Sequence, residues 1–391
     1  MKKIIIIGGG IGGLCTAIAL QQYGFEVKVY EKVRKLGEVG AGLTLWSNAI
    51  KVLRKLGVAD AVINTGSKLK RSQIRADNGE TLFDARADEM EAKYGEPVVA
   101  IHRADLHEIL INALKLETLR LNMNCSRFEQ DDEKVTVHFE NGESDSADVL
   151  IGADGIHSVV RKQMFPEIEL RYSGYTAWRG VVETENEAAL GLTSESWGRG
   201  ARFGIVRVDR KRVYWFATKN QAIGEQATSE KKKSKLLGIF NKWHNPIEHL
   251  LDSTPAETIL QNDICDIVPF ASWTKGRVTL LGDAAHPTTP NMGQGACMAM
   301  ESAYVLARAL GEGPDYRSAL KRYENERHER TAWVTNTSWT IGKGGQVENP
   351  LLIGLRNFIV KVTPAGAMQK NLNQAAGYDV TKAKLTNAPL F

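Results

Sequence analysis

Lys2-Lys-Ile-Ile-Ile-Ile7-Gly8-Gly-Gly10-Ile-Gly-Gly13-Leu14-Cys-Thr-Ala-Ile18 is the stretch that settles how this chain begins to fold. Lys2 to Ile7 is a short β-branched run without polar alternation, the pattern of a strand buried on both faces of a parallel sheet. Glycines follow at once, and Leu14, Ile18 and Ala19 then recur at helical spacing. Phe25 to Tyr30 reads as the next strand, which completes a βαβ unit, the opening of a doubly wound parallel sheet. Gly8-x-Gly10-x-x-Gly13 sits between strand and helix. Gly8 permits the tight turn, Gly10 lets the backbone approach a pyrophosphate, and Gly13 lets helix pack on strand, while the helix N-terminus attracts phosphate. Glu31, 18 residues beyond Gly13, ends the second strand and can accept hydrogen bonds from a ribose diol. This fingerprint alone does not choose between NAD and FAD.

Working outward, Ser47 can cap a helix carrying Ile50, Leu53 and Leu56, with Gly57 just past its end. Leu69 to Ala85 reads as a hairpin turning at Asp77-Asn78-Gly79. Val98 to His102 reads as a strand followed by a helix, so the α/β character resumes there. From Tyr172 to about Val268 the pattern changes to long alternating strands, Tyr175–Glu183, Arg202–Val208 and Val213–Thr218, with a helix at Glu230–Trp243. This is the signature of a separate antiparallel-sheet domain. Arg277 to Gly282 returns to a buried strand, and Gly293–Leu310 and Tyr316–Trp339 are helical. No fixed-period repeat appears.

The 391 residues point to two or three domains. With 43% hydrophobic and 25% charged residues the composition is that of an ordinary globular chain, which excludes collagenous and largely disordered classes. A net charge of +4, evenly spread, gives no basis for a nucleic-acid partner. The first apolar stretch, Ile4 to Ile7, is too short for a signal sequence or a span, so a cytoplasmic protein without integral membrane association is expected. Cys15, Cys125, Cys265 and Cys297 are widely separated, which fits reduced, buried thiols rather than disulfides or a zinc site; no metal is expected.

Two further motifs bear on the cofactor. Leu150-Ile-Gly-Ala-Asp154-Gly-Ile-His-Ser-Val-Val-Arg161 places glycines and an acid after a strand, and Arg277-Val-Thr-Leu-Leu-Gly-Asp283-Ala-Ala-His-Pro287 does so again, ending in Gly293-Gln-Gly295. Three dinucleotide-competent strand ends exceed what one NAD needs. With its amino-terminal GxGxxG, central DG and later GD motifs, the chain closely resembles the class A flavoprotein monooxygenases of the p-hydroxybenzoate and salicylate hydroxylase type, to about Thr363. Within that family, Trp197 to Thr218, Thr289 to Gly295 and Ser338 to Pro364 look most like a 2-alkyl-4-quinolone 3-hydroxylase, with urate hydroxylase more distant.

The resemblance implies a glutathione-reductase-like, Rossmann-type FAD-binding domain (1–70, 98–172 and 270–340), an inserted antiparallel-sheet substrate domain (71–97 and 173–269) and C-terminal helices (341–391). It gives the adenosine ribose to Glu31, the FAD phosphates to Arg103, and the ribityl and pyrophosphate region to Asp283. Asp154 resembles a residue placed near both FAD and the nicotinamide donor. Gly293, Gly295 and Ala296 would open a helix whose amides face the flavin pyrimidine edge. Pro290, in the rigid Pro287–Pro290 stretch, would line the oxygen-reaction side. His286 in that stretch is expected to be structural. Arg202 and Tyr214 fall where the family places the catalytic, substrate-facing wall, with Arg179, Phe216 and Pro290 beside the substrate. Period-two alternation puts Tyr214 and Phe216 on one face and Trp215 on the other.

The function implied is an FAD-dependent monooxygenase, taking NAD(P)H as transient reductant and O2, that hydroxylates a small aromatic or heteroaromatic molecule through a flavin C4a-hydroperoxide, as a monomer or homodimer. The rival readings are a flavin reductase or dehydrogenase on the same scaffold, and a flavin-bound redox sensor that recognises a partner.

Overall fold

In the computed structural model, which describes residues 2–36, 41–184, 191–225, 227–368 and 370–382, Lys3–Ile7 lies inside a six-stranded sheet. The sheet runs Thr274–Lys275, Val278–Leu280, Val149–Gly152, Lys3–Ile7, Glu26–Tyr30, Leu119–Arg120. All of its pairings except the first are parallel. The register sets Ile7 beside Gly152 and Gly152 beside Leu280, so the three glycine- and acid-bearing motifs leave the sheet side by side, at the carboxyl ends where doubly wound sheets bind ligands. Ile11–Gln22, apolar almost all round, is buried between this sheet and the Gly295–Glu312 helix.

A second, seven-stranded sheet runs Leu260–Asp266, Arg171–Glu183, Arg212–Asn220, Ala201–Arg207, Leu192–Trp197, Arg71–Ala76, Thr81–Arg86. The hairpin read at Leu69–Ala85 thus adds two strands to it. Alternation sends Trp178, Phe203 and Trp215 to one face, where Leu236, Phe240 and Leu251 of two helices cover them. Tyr214, Phe216 and Val206 go to the other face, against Trp46, Val98 and Ala100. Gly204, which pairs with Phe216, lies directly under that ring: a Cβ there would sit 2.0 Å from Phe216 Cε1.

Two local readings need correction. Val99–His102 is a strand, but it pairs antiparallel with Gly42–Leu45 and Ser67–Lys68 in a separate three-stranded sheet; a fully buried apolar run looks the same in either setting. Ser47 is the first helical residue rather than the cap, and its hydroxyl donates to the Glu96 carbonyl at 2.7 Å.

The four cysteines are free thiols, and burial pushes those of Cys15, Cys125 and Cys297 up to about 12. Among the described residues no group of His, Cys, Asp and Glu is placed to hold a metal ion, and no helix is long and apolar enough to cross a membrane.

Candidate active site

The glycine turn is built by contact. Gly8 has φ +108°, and a Cβ there would lie 2.3 Å from the Ala153 carbonyl oxygen; one on Gly13 would lie 2.0 Å from that of Gly8. Nothing stands within 4 Å of the corresponding point on Gly10, so the backbone there faces open space at the N-terminus of a helix that has no side-chain cap. Unsatisfied amides beside an open approach form an anion site. Glu31 shapes it, accepting from the Gly9 amide at 2.7 Å and the Val33 amide at 3.1 Å, with lone pairs to spare for a diol.

Arg103 begins the Arg103–Asn112 helix, and its exposed side chain has no hydrogen bond or ion pair among the described residues. The neighbour that might have claimed it, Asp105, is held by Arg212 instead. Arg103 acts electrostatically on Asp283, whose side chain keeps exposed surface in the Gly282–Ala284 turn. Enclosure raises the Asp283 pKa, opposed by Arg103 and Arg161. An unpaired guanidinium here suits a diphosphate. Arg103→Ala is therefore expected to weaken FAD binding roughly ten- to a hundredfold, measured by titrating apoprotein with FAD; an unchanged affinity would place Arg103 outside the site.

Asp154 is placed beside the turn, but its carboxylate is committed. Oδ1 accepts from the Ser158 hydroxyl at 2.5 Å, and Oδ2 from the Val159 and Val160 amides at 2.8 and 3.2 Å. It takes the first two amides of the Val159–Met164 helix, whose N-cap is Ser158, and burial raises its pKa. Its observed work is to hold the loop against Gly8, where a Cβ would approach the Asp154 Cα to 3.0 Å.

Gly293 adopts φ +61°, and Gly295 and Ala296 open the Gly295–Glu312 helix, again without a side-chain cap. Trp46, whose buried indole N–H has no partner among the described residues, lies 3.2 Å from the Cβ position of Gly293. Beneath them lies a cluster that the sequence reading missed. Asn48 donates to Gln294 at 3.0 Å and to Glu301 at 2.6 Å, while Arg327 and Arg330 reach Glu301 at 2.6 and 3.4 Å. A lone Glu301 in an otherwise apolar helical stretch was the available signal. His286 is buried and its Nε2 bonds Ser302 at 3.0 Å, while burial, with Arg327 nearby, lowers its pKa to about 3.

Because His286 ionises above pH 6 when unfolded and stays neutral when folded, its contribution to stability is complete above that range and is lost as pH falls toward the folded value. About 2 kcal/mol should disappear by about pH 5. Urea unfolding at several pH values should show that slope in the wild type and a shallower one in His286→Gln; equal slopes would refute a buried neutral imidazole.

In the seven-stranded sheet, Tyr214 packs on the backbone of Gly42, where a Cβ would lie 2.6 Å from its ring. Phe216 is 6.2 Å from Tyr214 between ring centroids. Burial raises the Tyr214 pKa and Arg179, within hydrogen-bonding reach, opposes it, so the phenol is protonated at neutral pH. Arg179 also donates to Asn262 at 2.9 Å and keeps part of its surface open. Pro290 is exposed at the start of the Pro290–Met292 turn.

Arg202 differs from expectation. It lies on the correct sheet face but is only 3% exposed, and its guanidinium donates to Gln346 at 2.8 Å, Glu195 at 3.0 Å and Asn291 at 2.7 Å. All three nitrogens are engaged. Arg202 therefore clamps the sheet to the Pro290–Met292 turn, whereas Arg179 is half-buried beside Phe216.

The open glycine cradle, the unpaired Arg103 and the partnerless Trp46 indole fit FAD. The sequence profile described as FAD binding domain matches residues 1–338. The chain belongs to the class A FAD-dependent monooxygenases. This monooxygenase is 39% identical over 359 residues to aurachin C monooxygenase/isomerase of Stigmatella aurantiaca, covering 92% of this chain and 94% of the relative. To 2-heptyl-3-hydroxy-4(1H)-quinolone synthase of Pseudomonas aeruginosa it is 32% identical over 378 residues, covering 95% and 96%. The crystal structure of Klebsiella pneumoniae HpxO complexed with FAD and uric acid superposes with a TM-score of 0.90 at 30% identity, over 96% of each chain.

Proposed function

We propose that this monooxygenase hydroxylates a planar bicyclic heteroaromatic ring of the 4-quinolone type, with NAD(P)H as reductant. What supports the reading is the sheet face that carries Tyr214, Phe216 and Arg179, two aromatic rings packed near Gly42 and Trp46 with one half-buried cation beside them. Such a wall suits a flat apolar ring bearing one oxygen that gains negative charge as the ring becomes electron-rich. The names of the relatives from Stigmatella aurantiaca and Pseudomonas aeruginosa support the same class.

Glu31, Arg103, Asp283 and the amides of Gly10 and Gly293–Ala296 would hold FAD, which when bound supplies hydride acceptance and oxygen activation. The chain's own tasks follow from its geometry. Phe216 and Tyr214 exclude water and fix the ring plane. Arg179, with the Tyr214 hydroxyl, stabilises the oxyanion form of the substrate. The Arg202–Asn291 clamp keeps the Pro290 turn seated beside the reacting face.

Phenols, salicylates, 4-quinolones and purines should be screened for stimulated NAD(P)H oxidation. Quinolones should stimulate most, and Arg179→Met should lower the ratio of product formed to NAD(P)H consumed. Stimulation by purines alone would replace this substrate assignment with a urate-type one.

A further inference from the structure

The Pro350–Val362 helix faces two ways. On one side Val360 is buried against Ala76 and Leu82, and Arg356 lies over the Trp197 ring, 5.3 Å from its centroid, donating to the Gly345 carbonyl at 3.3 Å. The N-terminus is properly made, with Asn349 accepting from the Leu351 amide at 2.9 Å and Pro350 in the first turn. On the other side Leu351, Leu352, Leu355, Phe358, Ile359 and Val362 are 84, 53, 53, 60, 50 and 57% exposed. At 3.6 residues per turn these six fall in one stripe roughly 120° wide, the width a helix ordinarily turns toward a core. Here it points away from the core.

We infer that this stripe is a homodimer interface in which the Pro350–Val362 helix packs antiparallel on the same helix of a second copy. Leu351, Leu355, Phe358 and Val362 follow the alternating four- and three-residue spacing of a helix–helix seam. The seam is self-complementary, as a two-fold contact requires. An axis between Arg356 and Asn357 sets Leu351 against Val362 of the second copy and Leu355 against its Phe358. The exposed apolar area, about 600 Å² per copy from these fractions, would bury about 1,200 Å² in all, which reaches the lower range of specific interfaces.

A lipid surface fits less well. Interfacial helices hold cations free beside the apolar stripe, whereas Lys361 is paired with Glu80 and Arg356 is turned inward over Trp197. The inference is independent of the substrate assignment, since no residue of the stripe belongs to the site described above.

The test is the mass of the FAD-loaded enzyme by sedimentation equilibrium, across micromolar concentrations, for wild type and Leu355→Glu. The wild type should be a dimer, and Leu355→Glu should raise the dissociation constant roughly a hundredfold or more with its flavin spectrum and turnover intact. A Leu355→Cys protein mixed with a Phe358→Cys protein should give a disulfide-linked dimer on mild oxidation, which fixes the antiparallel register. A monomeric wild type overturns the inference, whether or not it co-sediments with phosphatidylglycerol vesicles, and so does a dimer that Leu355→Glu leaves intact.

Discussion

Gly13→Ala is expected to give a colourless protein that unfolds at markedly lower denaturant than the wild type. The added methyl would lie 2.0 Å from the Gly8 carbonyl oxygen and 3.5 Å from the Ile6 side chain. The near neighbour is backbone, held by the Gly8 amide donating to the Tyr30 carbonyl at 2.8 Å, so it has no flexible end to swing aside. Either the helix lifts from the sheet or the turn opens, and both destroy the geometry of the glycine turn. A cost of about 2–4 kcal/mol is the scale of overpacking against a rigid neighbour. Absorbance of the purified protein and its urea midpoint check this together; a yellow protein with an unchanged midpoint would show that the turn is not where phosphate binds.

Glu301→Gln should be nearly as damaging although it changes almost no volume. Glu301 is fully buried with Arg327 across from it, also at 0% exposure. Burial alone would raise its pKa, but Arg327, Arg330 and the Asn48 hydrogen bond bring it net below the usual carboxylate value. A neutral amide leaves two buried guanidiniums without their anion, which costs about 3–5 kcal/mol in comparable cases. The folded pKa lies below the unfolded one, so the stabilisation is present above the unfolded carboxylate range and is lost as pH falls through the folded value. Through Asn48 and Gln294 the same cluster supports the Gly293–Ala296 segment, so FAD affinity should fall with stability. Thermal unfolding and FAD titration of the variant measure both effects. A variant as stable as the wild type would mean that the arginines find other partners.

What could be read from the chain alone follows from the range over which each signal acts. The Lys3–Ile7 run, the Gly8 to Gly13 spacing and Glu31 are local, and each keeps its meaning without the rest of the molecule. The Tyr214–Phe216 alternation is local as well, since period two dictates which face each ring takes. Sheet membership is not local, and Val99–His102 went to an antiparallel sheet because its partners, Gly42–Leu45 and Ser67–Lys68, come from earlier segments that its own composition does not name. Arg202 shows the same limit within the site. Its strand position placed it on the substrate-facing side, but the residues that occupy its guanidinium include Asn291 and Gln346, which lie 89 and 144 residues away in sequence. Arg103 had the opposite outcome, because its nearest acid was taken by Arg212 from the other sheet and its charge stayed free.

An FAD-dependent monooxygenase of this kind should deliver one oxygen atom from O2 to a heteroaromatic ring. The most direct measurement is mass spectrometry of the product after turnover of a 4-quinolone under labelled O2 in ordinary water, with NAD(P)H consumption and hydrogen peroxide followed in parallel. The product should be heavier by one labelled oxygen atom and form in near equality with the NAD(P)H consumed. Reductant oxidised with peroxide as the sole oxygen product, or a hydroxylated product whose oxygen derives from water, would contradict it.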